Sequence, residues 1–309
     1  MSQDLPLAGY RVVDYSHFIA GPFLSRCLAA MGAEVIKVER PTAGDPGRQH
    51  PYFLGGQSGY YLQQNMGKRG LCVNLKDPRG LDLMHRLVDS ADVFVENYRP
   101  GTMDRLGLGY AALSARNPRL VYCSISANGH TGPDAAQAGY GLIAEAKSGA
   151  MAMLGEPGAP PPLFRIALAD MYTGIHGVAA VCAALLGRAK SGRGQHIDLA
   201  LYDTMVSMHE YAVQCYTLSG GREIPEQTGR DLRHSTLCGV FCAKDGDGAS
   251  VRHDAVRPRP APRPAQPRDR AQAGLPGGRG RRDGRRRRAR CVGGGVPARA
   301  GRRQMPPNP

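Results

Sequence analysis

Asp170 is the residue whose type and position most directly suggest chemistry. It stands at the start of a long apolar segment, 170–189, that has the pattern of a helix. A carboxylate can act as a covalent nucleophile that divides one difficult transfer into easier steps, and a helix N-terminus stabilises a negative charge by roughly 0.3–1 kcal/mol. A helix cap is the commoner use of Asp at such a position. Local sequence therefore leaves both roles open.

Other catalytic signatures are missing. The sequence has no GxSxG, HExxH or GxxxxGK[ST] motif and no GxGxxG after a predicted strand, which argues against serine hydrolases, zinc proteases, P-loop enzymes and ordinary dehydrogenases. His17 and His130 are candidate general bases, although packing or capping is the commoner use of a histidine. The eight cysteines form no CxxC pair, so we predict reduced thiols and no metal site.

The elements that would position these residues alternate along the chain. Strand patterns cover 10–15, 33–39, 71–75, 92–96, 120–126 and 195–200, and helix patterns follow Ala20-Gly21-Pro22 and cover 77–88, 110–116, 170–189 and 201–216. In segment 170–189, Ile175, Val178, Cys182 and Leu185 share one predicted face. This alternation predicts an α/β fold with a mostly parallel, Rossmann-like sheet covered by helices.

Charge and composition separate the last part of the chain from the rest. The formal charge is +14, yet residues 251–309 hold 17 Arg, 3 Asp and no Lys or Glu, so the whole excess lies there. This segment also lacks Ile, Phe, Tyr and Trp, and it shows no period from which a core could form. We interpret it as a GC-rich gene read in a shifted frame from about Gly248. A functional, disordered basic tail is the alternative.

Several segments together carry a family likeness. They are DYSHFIAGP at 14–22, MGAEVIKVE at 31–39, NMGKRG at 65–70, NLK at 74–76, ADVFVENYRPG at 91–101, TGP at 131–133, AD at 169–170 and SGRGQ at 191–195. In this order they resemble the family III CoA-transferases, over roughly residues 5–247. Formyl-CoA transferase, carnitine CoA-transferase and α-methylacyl-CoA racemase are members of this superfamily.

The resemblance implies an acyl-CoA:carboxylate CoA-transferase with Asp170 as the nucleophile that forms a mixed anhydride. Coenzyme A would be a cosubstrate, with no resident cofactor and no metal. The implied CoA-binding residues, most of which follow predicted strands, are Ile19, Ala20, Arg40, Asn74, Leu75, Lys76, Asn97, Tyr98, Arg99, Arg105 and Tyr140. Each Arg or Lys by itself would more often be a solvated surface charge; the set in family order indicates a site.

Tyr140 distinguishes transfer from racemisation within this resemblance. The related racemases pair a His with the Asp, and here that position holds Tyr140. Phenol groups ordinarily titrate near pH 10 and are poor bases at neutral pH, so transfer is favoured and a racemase-like isomerase is the alternative. Gly141 departs from many transferases, which carry an acidic residue there.

The resemblance also implies a domain plan. Residues 1–200 would form the large CoA-binding α/β domain, 201–248 the connecting helix and the start of a small domain, and 249–309 a disordered tail. An intact chain would form an interlocked homodimer that binds acyl-CoA and a carboxylic acid. With the later segments replaced, little activity is expected.

Location and other partners are predicted from what the sequence lacks. The N-terminus has no signal-peptide pattern, and no run of 18 apolar residues occurs, so we predict a cytoplasmic protein without a membrane span. The Arg-rich tail could hold nucleic acid nonspecifically through phosphates. It contains no interleaved aromatic residue, so no specific nucleic-acid partner is expected.

Overall fold

Six parallel strands organise the part of the chain that this computed structural model describes, which is residues 5–229, 240–242 and 249–251. In chain order the strands are β1 Arg11–Tyr15, β2 Glu34–Glu39, β3 Phe53–Leu54, β4 Gln57–Ser58, β5 Arg69–Cys72, β6 Val93–Glu96, β7 Val121–Ser126, β8 His196–Ala200, β9 Val240–Cys242 and β10 Ala249–Val251. The main sheet has the order β5-β2-β1-β6-β7-β8. All of its pairs are parallel, which confirms the predicted Rossmann-like fold class.

Nine helices surround or extend this sheet within the described residues. They are α1 Ala20–Ala30, α2 Gly59–Asn65, α3 Pro78–Asp89, α4 Thr102–Arg105, α5 Tyr110–Arg116, α6 Gly141–Lys147, α7 Leu168–Ser191, α8 Leu201–Ser207 and α9 Glu210–Leu218. Local sequence explains several ends. Asp77 caps α3 by accepting a hydrogen bond from the amide of Arg79, ahead of Pro78. Gly192 ends α7 with a φ of 73°, a left-handed conformation that suits glycine.

Two helix predictions need correction. The segment predicted as one helix, 201–216, forms α8 and α9, because α8 ends in a tight turn in which the amides of Met208 and His209 bond to carbonyls three residues back. Helix α7 starts two residues before Asp170, at Leu168. Asp170 is therefore the third residue of the helix, not its cap.

The strands bury side chains on both faces of the sheet, as a parallel sheet covered on both sides requires. Val12 packs in a cluster with side chains from α1 and α7. Its neighbour Val13 points to the opposite face, into a cluster with side chains from α3 and α5. Adjacent residues of a strand thus belong to separate cores, which explains the continuous apolar runs in the sequence.

The sequence prediction of which residues of α7 are buried is wrong in one respect. Val178 and Leu185 are buried as expected, but Ile175 is 51% exposed. Glycines take its place on the inner face: a Cβ on Gly174 would lie 2.6 Å from Phe23 Cδ1, and one on Gly177 would lie 2.2 Å from Leu24 Cδ1. Helices α1 and α7 therefore meet through small residues, which a hydrophobic pattern does not reveal.

Helix α7 is long and apolar enough to cross a membrane by length and composition alone. Its side chains Val178, Val181 and Leu185 instead belong to the buried cluster against the sheet. This packing is that of a core helix. The domain boundaries expected at residues 200 and 248 stay predictions, and the tail after Val251 lies outside the described residues.

Candidate active site

A cleft of about 290 Å³ opens at the carboxyl ends of β1 and β6. The strand order reverses between these two neighbours, with β2 and β5 on one side and β7 and β8 on the other. Open α/β sheets bind ligands at such a switch point, because the loops leaving the two strands turn to opposite faces and leave a crevice. The cleft walls include Ala20, Asn97, Tyr98, Arg99, Tyr140 and Asp170.

Asp170 lies in the first turn of α7 and lines this cleft. Burial raises the pKa of its carboxyl group to about 6, and the neighbouring Glu145 carboxylate adds to the rise. Within the described residues, no hydrogen-bond donor reaches its carboxylate. Its lone pairs are therefore uncommitted, and a partly buried carboxylate without partners is more reactive than one held in an ion pair.

Glu145 on α6 holds the start of α7 in place. Its Oε1 atom accepts a hydrogen bond of 3.1 Å from the amide of Ala169, one of the donors that a helix start leaves without an intrahelical partner. The Glu145 side chain is itself buried. A fixed negative charge beside Asp170 thus serves both to position the helix and to raise the pKa of Asp170.

Gly141, the first residue of α6, lies directly against the Asp170 carboxylate. A Cβ at this position would lie 2.2 Å from Asp170 Oδ2 and 3.0 Å from its Cγ. Real Cβ atoms do not approach other atoms so closely, so any other residue would displace the carboxylate. This contact gives a physical reason for the glycine that departs from many transferases.

Asn97 clamps the loop between β1 and α1 that forms the cleft floor. Its Oδ1 atom accepts from the amide of His17 at 2.8 Å, and its Nδ2 atom donates to the carbonyl of His17 at 2.8 Å. The next amide, that of Phe18, donates to Asp45 Oδ1 at 3.1 Å, and Phe18 has a φ of 62°. The loop is therefore held in a strained conformation by side chains from two other segments.

A buried ion network lies below this loop. Lys68 Nζ is 2.9 Å from Asp14 Oδ2, and Lys37 Nζ is 3.1 Å from Asp45 Oδ2. Burial alone would raise the pKa of Asp14, but the ammonium groups of Lys37 and Lys68 hold it well below its ordinary value. Burial also lowers the pKa of Lys68 to about 8. Asp14, Lys37 and Lys68, from three of the family-like motifs, thus have a structural role.

A second cleft of about 270 Å³ adjoins the first and contains Arg40. The two clefts share His17, Phe18, Tyr98 and Tyr140. The Arg40 side chain is exposed, and its Nε atom donates to the carbonyl of Gly44 at 3.3 Å. Its terminal nitrogens remain able to bind a phosphate group in two-pronged fashion.

The remaining residues expected to bind CoA lie outside both clefts. Ile19 caps α1, and Arg105 bonds to the hydroxyl of Thr102 at 3.2 Å, beside the first cleft. Asn74 and Lys76 are exposed beyond β5, while Leu75 packs against the second core cluster. Because β5 is three strands from β6 in the sheet, these two ends of the predicted site are roughly 14 Å apart. Only an elongated ligand could contact both.

The two candidate histidine bases lie in different places. His17 lines the main cleft with its ring 4.7 Å from that of Tyr98, and burial lowers its pKa. His130 instead pairs with Asp198 at 2.8 Å, which raises the pKa of His130. It lines a smaller pocket with Glu96 and His196. Among these two, only His17 shares the cleft with Asp170.

Sequence reasoning missed three polar residues of this cleft, namely Ser126, Thr102 and Gln137. Ser126 is the last residue of β7, so its position at a strand end was the available signal. Thr102 is the first residue of α4 and Gln137 lies in the loop before α6, and no local pattern predicts that either one approaches the cleft. Among the described residues, no group of three or more potential metal ligands lies together.

Comparison with known proteins identifies the family of this chain. The family model described as CoA-transferase family III matches residues 7–257, slightly beyond the predicted end of the resemblance. The chain belongs to CoA-transferase family III. Family membership therefore covers all of the described sheet and the cleft.

Named relatives give the same family with partial coverage. The succinate–glutarate CoA-transferase of Agrobacterium fabrum is 43% identical over 222 residues, which cover 70% of this chain and 56% of the relative. The human succinyl-CoA:glutarate CoA-transferase is 40% identical over 247 residues, which cover 80% of this chain and 56% of the relative. A crystal structure of a CAIB/BAIF family protein from Brucella suis matches with a TM-score of 0.74 and 38% identity, covering 79% of this chain and 65% of that one. The chain thus spans little more than half the length of the curated relatives it matches.

Proposed function

We propose that this protein is an acyl-CoA:carboxylate CoA-transferase in which Asp170 becomes covalently acylated. The observation that carries this proposal is a partly buried carboxylate, free of hydrogen-bond donors from the described residues, in the cleft at the switch point of the sheet. Arg40 in the adjoining cleft supplies a cation for a nucleotide phosphate. Nucleophile and anion site together fit a CoA thioester.

The reaction can proceed through four exchanges that each consume and release one anion. An Asp170 oxygen attacks the thioester carbonyl, the C–S bond breaks, and CoA thiolate leaves a mixed anhydride. The thiolate then attacks the Asp170 carbonyl carbon, which forms an aspartyl-CoA thioester and releases the donor acid. The acceptor carboxylate next attacks this thioester and displaces the thiolate, forming a second anhydride. Thiolate attack on the acceptor's acyl carbon finally gives the new thioester and restores Asp170.

The relatives support a substrate class. The names of the Agrobacterium and human proteins specify succinate or succinyl-CoA and glutarate, and another relative is named an acetyl-CoA:oxalate CoA-transferase. Succinate, glutarate and oxalate are short dicarboxylates, whereas the acetyl group of the last relative's name derives from a monocarboxylic acid. We therefore take succinyl-CoA and glutarate as the first donor and acceptor to test, with CoA as a substrate and no resident cofactor.

The decisive experiment traps the acylated aspartate. Incubation with succinyl-CoA and hydroxylamine should convert Asp170 to a hydroxamate that peptide mass spectrometry locates. Asp170→Ala should abolish both the hydroxamate and CoA exchange. Asp203→Ala is the matched control, because Asp203 also lies in the first turn of a helix but is exposed. Exchange that survives in Asp170→Ala would remove this mechanism.

A racemase-like isomerase is the second candidate, and His17 is the observation that favours it. His17 shares the cleft with Asp170, and burial lowers its pKa, so its neutral form can accept a proton. An isomerase would exchange the hydrogen beside the thioester with deuterated water in the absence of any acceptor acid. Failure to incorporate deuterium under conditions that give CoA exchange would exclude it.

The homodimer and the cytoplasmic location are also proposals. Large apolar side chains remain exposed on helices α7 and α9, including Leu186 at 70% and Leu218 at 84%. Such surfaces commonly mark contacts with further protein, as an interlocked dimer would provide. Analytical ultracentrifugation should give a dimer mass, and a monomer at all concentrations would contradict this assembly. Nucleic-acid binding by the tail concerns residues outside the described part.

A further inference from the structure

Ser126 carries a polar group that the rest of the cleft does not explain. Its side chain is the last of β7, lines the cleft together with Asp170 and Arg99, and is only 8% exposed. Its Oγ atom is buried and has no hydrogen-bond partner among the described residues. Buried hydroxyl groups in folded proteins are nearly always hydrogen-bonded, so an isolated one at a binding site needs a reason.

Ser124, two residues earlier on the same strand, provides the comparison. Its side chain is fully buried, and its Oγ atom lies 2.7 Å from His196 Nε2 and 3.4 Å from the carbonyl of Ile197. Both residues project from the same face of β7, because side chains alternate along a strand. The fold thus satisfies the inner hydroxyl and leaves the one at the cleft without a protein partner.

We propose that the Ser126 hydroxyl donates a hydrogen bond to an oxygen atom of the bound substrate. This inference rests on the proposed function. A CoA thioester and a carboxylic acid both present oxygen acceptors, and a hydroxyl group can turn about its Cα–Cβ bond to meet either one. A neutral donor suits this place, since it binds oxygen without forming an ion pair with Asp170 that would reduce its reactivity. Ser126 is therefore assigned as a substrate-binding residue.

The test compares Ser126→Ala, Ser126→Cys and Ser124→Ala in the full chain. Urea unfolding measures stability, and calorimetry measures binding of succinyl-CoA alone and of glutarate alone, with each chain also carrying Asp170→Ala so that no turnover occurs. Ser126→Ala should unfold at the same urea concentration as the parent or a higher one, because it removes an unpaired buried hydroxyl. Its affinity for one of the two ligands should fall roughly threefold to tenfold, the effect of one hydrogen bond. The ligand that is weakened identifies which oxygen Ser126 contacts.

The other two variants separate binding from packing. Cys has nearly the size of Ser but is a weak donor, so Ser126→Cys should bind as poorly as Ser126→Ala. Ser124→Ala should lose stability and keep both affinities. The proposal is overturned if Ser126→Cys binds like the parent, or if Ser126→Ala leaves both affinities unchanged. A parent chain that binds neither ligand overturns both proposals, whereas one that binds both yet gives no hydroxamate overturns only the proposed covalent chemistry.

Discussion

Replacing Asp170 by Asn should make the protein more stable at neutral pH. Burial and the charge of Glu145 raise the pKa of Asp170 to about 6 from the ordinary 3.8. The unfolded chain therefore loses this proton at a lower pH than the folded protein, and stability falls as the pH rises from about 4 to 6. A shift of this size corresponds to about 3 kcal/mol at pH 7.

The helix N-terminus opposes part of this gain. A carboxylate in the first turn of a helix is stabilised by roughly 0.3–1 kcal/mol, and the Asn variant loses that interaction. The expected net gain at pH 7 is therefore about 2 kcal/mol, which corresponds to a rise of roughly 1 M in the urea midpoint. The gain should disappear near pH 4, where the folded protein already holds the proton.

Urea unfolding of parent and variant at several pH values between 4 and 8 measures this difference. Asp203→Asn is the control, because it changes the same residue type in the first turn of α8 at an exposed position. It should lower the free energy of unfolding by at most about 1 kcal/mol. A neutral or destabilising Asp170→Asn change at pH 7, or a gain that persists unchanged at pH 4, would refute the argument that Asp170 is held as an uncompensated buried charge.

Three further substitutions test the surroundings of Asp170. Gly141→Ala should reduce the rate of hydroxamate formation about 100-fold by displacing the Asp170 carboxylate. Gly187→Ala is the control, because a Cβ there would lie in open space on α7. Equal rates of hydroxamate formation in the two variants would contradict the contact between Gly141 and Asp170. Asn97→Ala removes two hydrogen bonds to the backbone of His17, so we expect a loss of about 1–3 kcal/mol in urea unfolding together with weaker CoA binding by calorimetry. Unchanged stability would show that the loop between β1 and α1 keeps its conformation without the Asn97 side chain. Lys68→Met leaves the buried Asp14 with one ammonium partner fewer, and should lower the free energy of unfolding by about 3–5 kcal/mol; a loss below about 1 kcal/mol would mean that Lys37 alone suffices.

The six strands of the main sheet and most helices could be predicted because their signals are local, whereas the short strands β3, β4, β9 and β10 were not predicted. Apolar runs between Gly and Pro residues indicate β1, β6 and β7 to within one residue, and Asp77-Pro78 marks the start of α3. The prediction failed at Ile175, because close packing of α1 against α7 depends on the absence of side chains at Gly174 and Gly177. A hydrophobicity scale assigns a buried helix face to large apolar side chains, so it does not detect a face formed by glycines.

The candidate nucleophile, Asp170, could be named because the motifs of the sequence resemble those of family III CoA-transferases. The surroundings of its side chain in the fold could not be predicted from the sequence. The sequence left Asp170 as either a cap or a nucleophile. The structure places it third in α7, against Gly141 and near Glu145, which come from a different helix. Its raised pKa results from these neighbours and from burial.

Residue order alone determined the alternation of strands and helices, the neutral body with its basic end, and the family likeness. Tertiary structure decided which polar side chains serve the fold and which face the cleft. Asn97 accepts a hydrogen bond from the amide of His17, which is 80 residues away in the sequence. Ser124 is hydrogen-bonded to His196 of the neighbouring strand, whereas the hydroxyl group of Ser126 has no partner among the described residues. Such distinctions depend on distances between remote segments. Periodicity and composition describe only neighbours along the chain, so they carry no information about those distances.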